Sequence, residues 1–376
     1  MTSKIALLQA NPVVGDIAGN AMMICGLASI AAEEGASFAV TTELAISGYP
    51  PRDLLIQSDF VTECHQVASS LETEIPVLVG TPVPPVNDRS LPGNGVVRAG
   101  DSVREVTRKQ LLPTYDVFDE ARYFEADERP GIARTIAGLD IGVTICEDAW
   151  QHCGATPNDY DSDPIAQIVE WGRQGVVLDA TVNLSASPYH ANKSGIRIAV
   201  ARSAASSLNH PFLLANQVGG NDDLLFDGRS IIAWPDGTAV VAPAWTRGVL
   251  LTDLSDPKGC TWIGDGEVTI LKPGEELKED ENDLLDAIVI GLADYCRKSG
   301  ISKIVLGLSG GIDSALAACV ASAAVGAQNV TGISMPSKHS SQHSIDDAKA
   351  TAEALGLNFI IQPITDLHAA SDLALE

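Results

Sequence analysis

Three residues of this sequence have types and settings that could do covalent chemistry together: Cys146, Glu43 and Lys109. Cys146 closes an apolar run in LDIGVTICEDAW, where Ile141, Val143 and Ile145 alternate with Gly142 and Thr144. The period of two predicts a strand, and a cysteine at its C-terminal tip followed by Glu147 and Asp148 predicts a tight turn into a helix. Such a turn lifts a sulfur above the sheet edge, and the backbone N–H groups just after it point at any oxyanion that forms there. The competing reading is a buried structural cysteine, the commoner fate of a single Cys. Glu43 ends the predicted strand SFAVTT, and Gly48, Pro50 and Pro51 forbid regular structure soon after it, so it faces a loop. A buried acid paired with an arginine is the alternative there. Lys109 lies at a strand end before an apolar pair and Pro113, where a surface lysine is the alternative.

The three stand far apart in sequence, yet each falls at the end of a predicted strand, so one sheet edge could gather them. The chemistry would be amide hydrolysis through a thioester. Glu43 would take the thiol proton and later activate water. Lys109 would lower the thiol pKa and, with the N–H of Glu147, stabilise the tetrahedral oxyanion.

The elements that must hold these residues read as a layered α/β domain. Residues 4–10 form a strand, 17–34 an Ala-rich helix and 37–42 a second strand. A helix at 58–70, a strand at 77–81 and, after a Pro-rich loop, paired strands around Val96–Arg98 and Val103–Thr107 follow. Residues 151–163 make a polar, acidic insertion, in which His152 and Cys153 lack the two-residue or i,i+4 spacing of metal ligands. A helix at 164–174 and a strand at 176–183 lead to NLSASPYHANK, which places Ser187 and Lys193 at another strand tip. There they could equally cap the helix that starts near residue 193. The strand PFLLANQVGG then precedes hairpins at 230–243 and 248–253.

From about residue 263 the sequence becomes acidic and short of aromatics. This predicts a first domain over 1–262, a linker over 263–281 and a second domain over 282–376. In the second, KIVLGLSGGIDSALAACVASAA reads as strand, glycine loop and helix. The strand NVTGISM, a Ser/His-rich loop, a helix at 344–355 and the strand NFIIQ complete a nucleotide-style α/β unit.

Length and composition fit this plan: 376 residues leave room for two domains, and 45% hydrophobic with 19% charged residues describes a folded chain. A formal charge of −25 argues against nucleic acid or an anionic membrane as partner, and an anionic small substrate would need a local cation or metal. MTSKIALLQANP has no long apolar segment, and no run reaches the roughly 18 apolar residues of a membrane helix, so a cytoplasmic location is expected. Seven scattered cysteines without a CxxC fit neither a disulfide framework nor a zinc ribbon.

Glu43 in TELAISGYPPRDLL, Lys109 in RKQLLPTYDVFDE and Cys146 in ICEDAW resemble the Glu, Lys and Cys of the nitrilase (carbon-nitrogen hydrolase) superfamily. NLSASPYHANK and ANQVGGNDDLLFDG resemble its glutamine-hydrolysing branch in the glutamine-dependent NAD+ synthetases, and the likeness runs in order from residue 1 to about 360. The resemblance implies an αββα sandwich followed by a partial Rossmann-like adenine-nucleotide domain. It also implies L-glutamine as substrate, held by Tyr115, Glu147, Ser187 and Lys193, a homo-oligomer, and an ammonia channel to a second site. SGGIDS, comprising Ser309, Gly310, Gly311, Ile312, Asp313 and Ser314, matches the ATP-pyrophosphatase signature. Its glycines would let backbone N–H groups approach ATP phosphates at a helix N-terminus, and Asp313 would hold Mg2+. Ser and Gly also make ordinary helix caps. MPSKHSSQHS resembles a segment of the same family; His339 and His343 stand four apart like metal ligands, though a solvated loop is the favoured reading.

The complete reaction implied is amidation of deamido-NAD+: MgATP adenylylates it, and ammonia from glutamine displaces AMP to give NAD+. The chain departs from the family by stopping at SDLALE, short of the deamido-NAD+ site and of more of the metal site. The expectation is therefore a C-terminally truncated chain that retains mainly the glutaminase half. Two rivals remain open at this point: a stand-alone amidase with a vestigial nucleotide domain, and a non-catalytic assembly module.

Overall fold

Alternation along the first strand divides two cores. In the computed structural model, which describes residues 4–87, 90–100, 104–157, 159–273 and 281–375, β1 (Lys4–Gln9) gives Ile5 and Leu7 to one core and Ala6 and Leu8 to another. The chain forms two units, Met1–Glu279 and Asp280–Glu376.

In the first unit β1 is followed by α1 (Ile17–Glu33), β2 (Phe38–Val40), α2 (Ser58–Ser69), β3 (Val77–Val83), β4 (Gly93–Ala99) and β5 (Arg104–Arg108). Next come β6 (Gly131–Ile136), β7 (Leu139–Ile145), α3 (Pro164–Arg173), β8 (Ala180–Ser185), α4 (Lys193–Leu208) and β9 (Phe212–Asn216). The remaining strands are β10 (Val218–Asn221), β11 (Leu224–Asp227), β12 (Ile231–Ala233), β13 (Ala239–Val241), β14 (Gly248–Asp253), β15 (Asp256–Gly264) and β16 (Glu267–Leu271). One sheet has the order β16-β15-β14-β1-β2-β3-β4-β5, the other β13-β12-β9-β8-β7-β6. Ile5, Leu7, Phe38 and Leu78 of the first pack with Ile141, Val143, Val182 and Leu213 of the second, so the two sheets share one core. On the outer face of the first sheet α1 applies a stripe of Asn20, Ile24, Leu27, Ala28 and Ala31, spaced three and four apart. Asp16 caps that helix by accepting the Gly19 N–H at 3.0 Å. α4 covers the other sheet with Val200, Ala201, Ala204 and Ala205. This is the αββα sandwich that the resemblance implied.

Strand direction decides what meets at the sheet ends. β1, β2 and β3 are parallel, β4 reverses and β5 reverses again, so β2 and β5 point the same way. Glu43 and Lys109, which follow them, therefore leave the same end of the sheet. In the second sheet β7, β8 and β9 are parallel, and Cys146 and Ser187 follow β7 and β8.

Several elements differ from expectation. β6 was not anticipated; it pairs antiparallel with β7 through a register shift between Ala133 and Ile136, which breaks the alternation a strand would show. PFLLANQVGG splits at Gln217, β9 joining the six-stranded sheet and β10 pairing with β11. The helix expected after Cys146 is a single 3-10 turn, Cys146–Ala149, and α3 begins only where Asp163 caps it and Pro164 takes its first turn. Residues 263–271 of the expected linker belong to the sheet instead: Asp265 and Gly266, at φ 52° and 79°, turn β15 into β16. Residues 274–280 of that linker lie outside the described residues.

The second unit contains α5 (Glu281–Lys298), β17 (Ile304–Gly307), α6 (Ile312–Val325), β18 (Val330–Ser334), α7 (Gln342–Leu355), β19 (Asn358–Ile361) and α8 (Thr365–Leu375). Its three strands are parallel in the order β17-β18-β19. Leu308, Ala318, Ala348 and Ala352 form its core. Ser341 caps α7 through the Ser344 N–H at 3.1 Å, and Gly356 ends it at φ 71°. Among the described residues no helix is long and apolar enough to cross a membrane.

Candidate active site

A glycine brings Glu43 into place. A Cβ on Gly80 of β3 would lie 2.3 Å from Thr42 O and 2.7 Å from Leu44 N, so only glycine lets the segment carrying Glu43 run so close over the strand. Glu43 is buried, and three donors converge on it: Asn94 Nδ2 at 2.7 Å and Lys109 Nζ at 2.7 Å on Oε1, and the Ala186 N–H at 3.0 Å on Oε2. Lys109 is wholly buried as well. Its N–H donates to Asn94 O at 2.8 Å, and its Nζ also donates to Glu120 Oε1 at 2.9 Å and Oε2 at 2.7 Å. Burial pulls the Lys109 pKa down, but the charges of Glu120 and Glu43 outweigh it and hold the ammonium well above the ordinary lysine range. Burial and the Glu43 charge, against the pull of Lys109, raise the Glu120 carboxyl to about 7, and Tyr49 donates its hydroxyl to Glu120 Oε1 at 2.8 Å.

Cys146 sits at φ +43°, a left-handed conformation that costs a non-glycine residue about 1–2 kcal/mol. Burial, and next the charge of Glu43, push its thiol well above the ordinary range. Lys109 does pull the thiol down, as the sequence suggested, but loses to burial, so the resting sulfur is a neutral S–H. The expected effect of Lys109 is therefore present, and burial outweighs it. The elbow is braced by Asp148, which accepts backbone N–H bonds from Gln110, Leu111 and Ile145, and by Asn183, whose Nδ2 donates to Cys146 O at 3.3 Å.

Cys146 opens on a cavity of about 230 Å³ lined by Tyr115, Glu147, Trp150, Ser187 and Lys193 among others. All the glutamine-contacting residues expected from the sequence therefore meet around the sulfur. Glu147 Oε1 accepts the hydroxyls of Tyr115 at 2.7 Å and Tyr160 at 3.2 Å. Ser187 gives its N–H to Asn216 Oδ1 at 2.9 Å, while its buried hydroxyl has no partner among the described residues. Burial and the neighbouring Arg197 bring Lys193 down to about 8, and its Nζ stands 5.5 Å from the centre of the Trp150 ring. A carboxylate, an ammonium and an unsatisfied hydroxyl around a thiol suit a small zwitterion that carries an amide.

Glu120, Asn94, Asp148 and Tyr160 escaped the sequence reading as site residues. Glu120 is one acid among several in DVFDEARYF, and only its burial beside Lys109 distinguishes it from the exposed Asp119. His152, adjacent to Cys153, bridges Asp163 and Ser207, each at 2.8 Å.

In the second unit Ser309–Ser314 covers the loop after β17 and the first residues of α6. Gly310 adopts φ +83°, and a Cβ there would lie 2.3 Å from Ser344 O, so the loop seats against the start of α7 only as glycine. Ser314 Oγ accepts the Ser309 N–H at 3.2 Å and donates to Gly311 O at 2.9 Å. A cavity of about 220 Å³ lined by Ser309, Ser334, Ser340 and Ser344 adjoins it, and Asp313 is exposed in the first turn of α6. His339 stacks edge-on against His368 with ring centres 5.3 Å apart.

Comparison with known proteins places these units. Residues 4–258 match the carbon-nitrogen hydrolase family, and residues 284–376 match NAD synthase. The glutamine-dependent NAD(+) synthetase of Synechocystis sp. is 39% identical over 99% of the chain, and that of Aquifex aeolicus 34% identical over 98%. The chain spans 66% of the length of each of these curated relatives. Among solved structures, glutamine-dependent NAD+ synthetase from Acinetobacter baumannii in complex with adenosine diphosphate aligns with a TM-score of 0.84 at 28% identity, over 100% of this chain and 67% of that one.

Proposed function

The chain belongs to the carbon-nitrogen hydrolase family, and from that premise we propose that it hydrolyses the side-chain amide of L-glutamine and passes the ammonia to ATP-dependent amidation of deamido-NAD+. The observation that carries this is that Cys146, within electrostatic reach of the paired Glu43 and Lys109, lines a cavity that also presents Glu147, Ser187 and Lys193. Glu43 takes the Cys146 proton as the sulfur attacks the amide carbon. The oxyanion that forms is met by Lys109 Nζ and the Glu147 N–H. The proton on Glu43 goes to the leaving nitrogen, ammonia departs, and a thioester remains. Water gives a proton to Glu43 and attacks the thioester; glutamate leaves and the thiol is restored. Glu147 and Lys193 bind the α-ammonium and α-carboxylate of glutamine, with Tyr115 and Ser187 beside them.

ATP binding at Ser309–Ser314 is supported by the NAD synthase match and by the adenosine diphosphate complex of the Acinetobacter baumannii relative. Mg2+ fits this loop. Asp313 offers one exposed carboxylate, and no group of three or more His, Cys, Asp or Glu among the described residues could hold a metal by themselves. One carboxylate completed by phosphate oxygens and water is a donor set that Mg2+ accepts, and the ion would neutralise phosphate charge there. A cytoplasmic location and a homo-oligomer belong to the same reading.

The test is release of glutamate and ammonia from glutamine by the parent and by Cys146→Ala. Hydrolysis that survives the substitution, or that never occurs, overturns the first half. Ammonia supplied with MgATP and deamido-NAD+ tests the second half through AMP and NAD+ release. Equal amounts of the two products support it, and their absence overturns amidation by this chain.

A further inference from the structure

We propose that Asp148 is a positioning residue that locks the Lys109 strand end and the Cys146 elbow into one rigid unit. The inference rests on the reading of Cys146 as nucleophile and Lys109 as oxyanion donor. Asp148 is 1% exposed, and the three N–H groups that reach its carboxylate come from both sheets. Oδ1 accepts from Gln110 at 3.1 Å and Leu111 at 2.9 Å, just beyond β5 and Lys109. Oδ2 accepts from Ile145 at 2.9 Å, the last residue of β7. That second contact spans Cys146 and closes the turn that keeps it at φ +43°.

The carboxylate has no other task in the site. Both Asp148 oxygens are taken by backbone N–H groups, and the residue does not line the cavity on which Cys146 opens, so it acts through its neighbours. Asn94 O ties the Lys109 N–H at 2.8 Å from the other side, so the backbone from 109 to 111 is held at each amide. Burial of a carboxyl without charge partners in contact is tolerated because three backbone donors replace its hydration. The consequence is mechanical: the distance between the attacking sulfur and the ammonium that receives the oxyanion is fixed by a side chain that touches neither.

Asp148→Asn tests this. Its oxygen can keep the bonds to the 110 and 111 amides, but its NH2 then faces the Ile145 N–H, donor to donor. Misplacement near 1 Å in such a site costs on the order of 10²-fold in rate. We expect a fall of about that size in kcat for glutamine hydrolysis, with KM changed by less than about threefold, and a larger loss in Asp148→Ala. Alkylation of Cys146 by iodoacetamide, followed by peptide mass from pH 6 to 10, should need higher pH in Asp148→Asn, because the ammonium is no longer held close. Parental kcat in Asp148→Asn overturns the proposal. So does a matched rise in KM with an unchanged alkylation profile, or failure of both variants to fold, which would make Asp148 a stability residue only. If the parent itself leaves glutamine intact, the glutaminase reading fails, and the alkylation profile alone decides the role of Asp148.

Discussion

Glu120 holds the Lys109 ammonium with both carboxylate oxygens, at 2.9 and 2.7 Å, although neither sequence spacing nor charge pattern singled it out. Lys109 therefore has a second anion besides Glu43. When Glu43 accepts the thiol proton and loses its charge, Lys109 remains paired and stays an ammonium for the oxyanion. Glu120→Gln should leave that buried ammonium with one anion, and breaking a buried pair of this kind costs about 3–5 kcal/mol. Denaturant unfolding beside glutamine hydrolysis checks it: parental stability and rate in Glu120→Gln would show that Glu43 alone suffices.

Cys146→Ala should fold as the parent does and lose hydrolysis, because no second thiol lines the cavity. A chloroketone analogue of glutamine should label Cys146 by peptide mass, whereas Cys153 and Cys319, both exposed thiols, should react mainly with reagents that do not mimic substrate. Labelling chiefly at Cys153 would sink the assignment.

Glu43→Gln and Lys109→Ala should fail differently. Glu43→Gln removes the group that takes the thiol proton during attack, so glutamine hydrolysis should be lost, while loss of the Glu43 charge should let alkylation of Cys146 begin at lower pH than in the parent. Lys109→Ala removes an oxyanion donor, worth about 2.7–4 kcal/mol or a 10²–10³-fold loss in kcat. Hydrolysis at the parent rate by either variant contradicts the mechanism.

Asn94 aims Glu43 through the 2.7 Å bond to Oε1. Loss of a hydrogen bond to a charged group costs about 1.5–3 kcal/mol, so Asn94→Ala should be less stable by that amount and lower in kcat with little change in KM. Steady-state kinetics with an unfolding curve decides it; an increase in KM alone would place Asn94 in substrate binding instead.

Stability should fall as pH rises through neutrality. Burial raises the Asp148 carboxyl to about 7, so between about pH 4 and 7 the folded chain binds more protons than the unfolded one. This contribution is complete below that window and is lost as pH climbs through 7. Tm measured from pH 5 to 8.5 at fixed ionic strength should decline, and Asp148→Asn should flatten the slope. A Tm that rises across this range would contradict the shift.

Local sequence was enough for the strand tips. LDIGVTIC shows a period of two that ends on Cys146, and the glycine and prolines after Glu43 leave it no regular structure to enter, so both signals survive in any window that contains them. The phosphate-type loop was legible for the same reason, since a strand, Gly310 at positive φ and an Ala-rich helix are consecutive. The hairpin at Asp265 and Gly266 was locally encoded too, but the acidic composition around it outweighed the turn signal. What tertiary structure alone decided is which polar groups became buried together. Glu120, Asn94 and Asp148 resemble surface acids and amides until two sheets close over them. Their partners lie 11, 51 and 38 or 37 residues away, distances over which sequence carries no pairing signal. The thiol pKa belongs to this second class: the lysine pulls it down, as its charge implies, but burial, which no stretch of sequence displays, outweighs that pull.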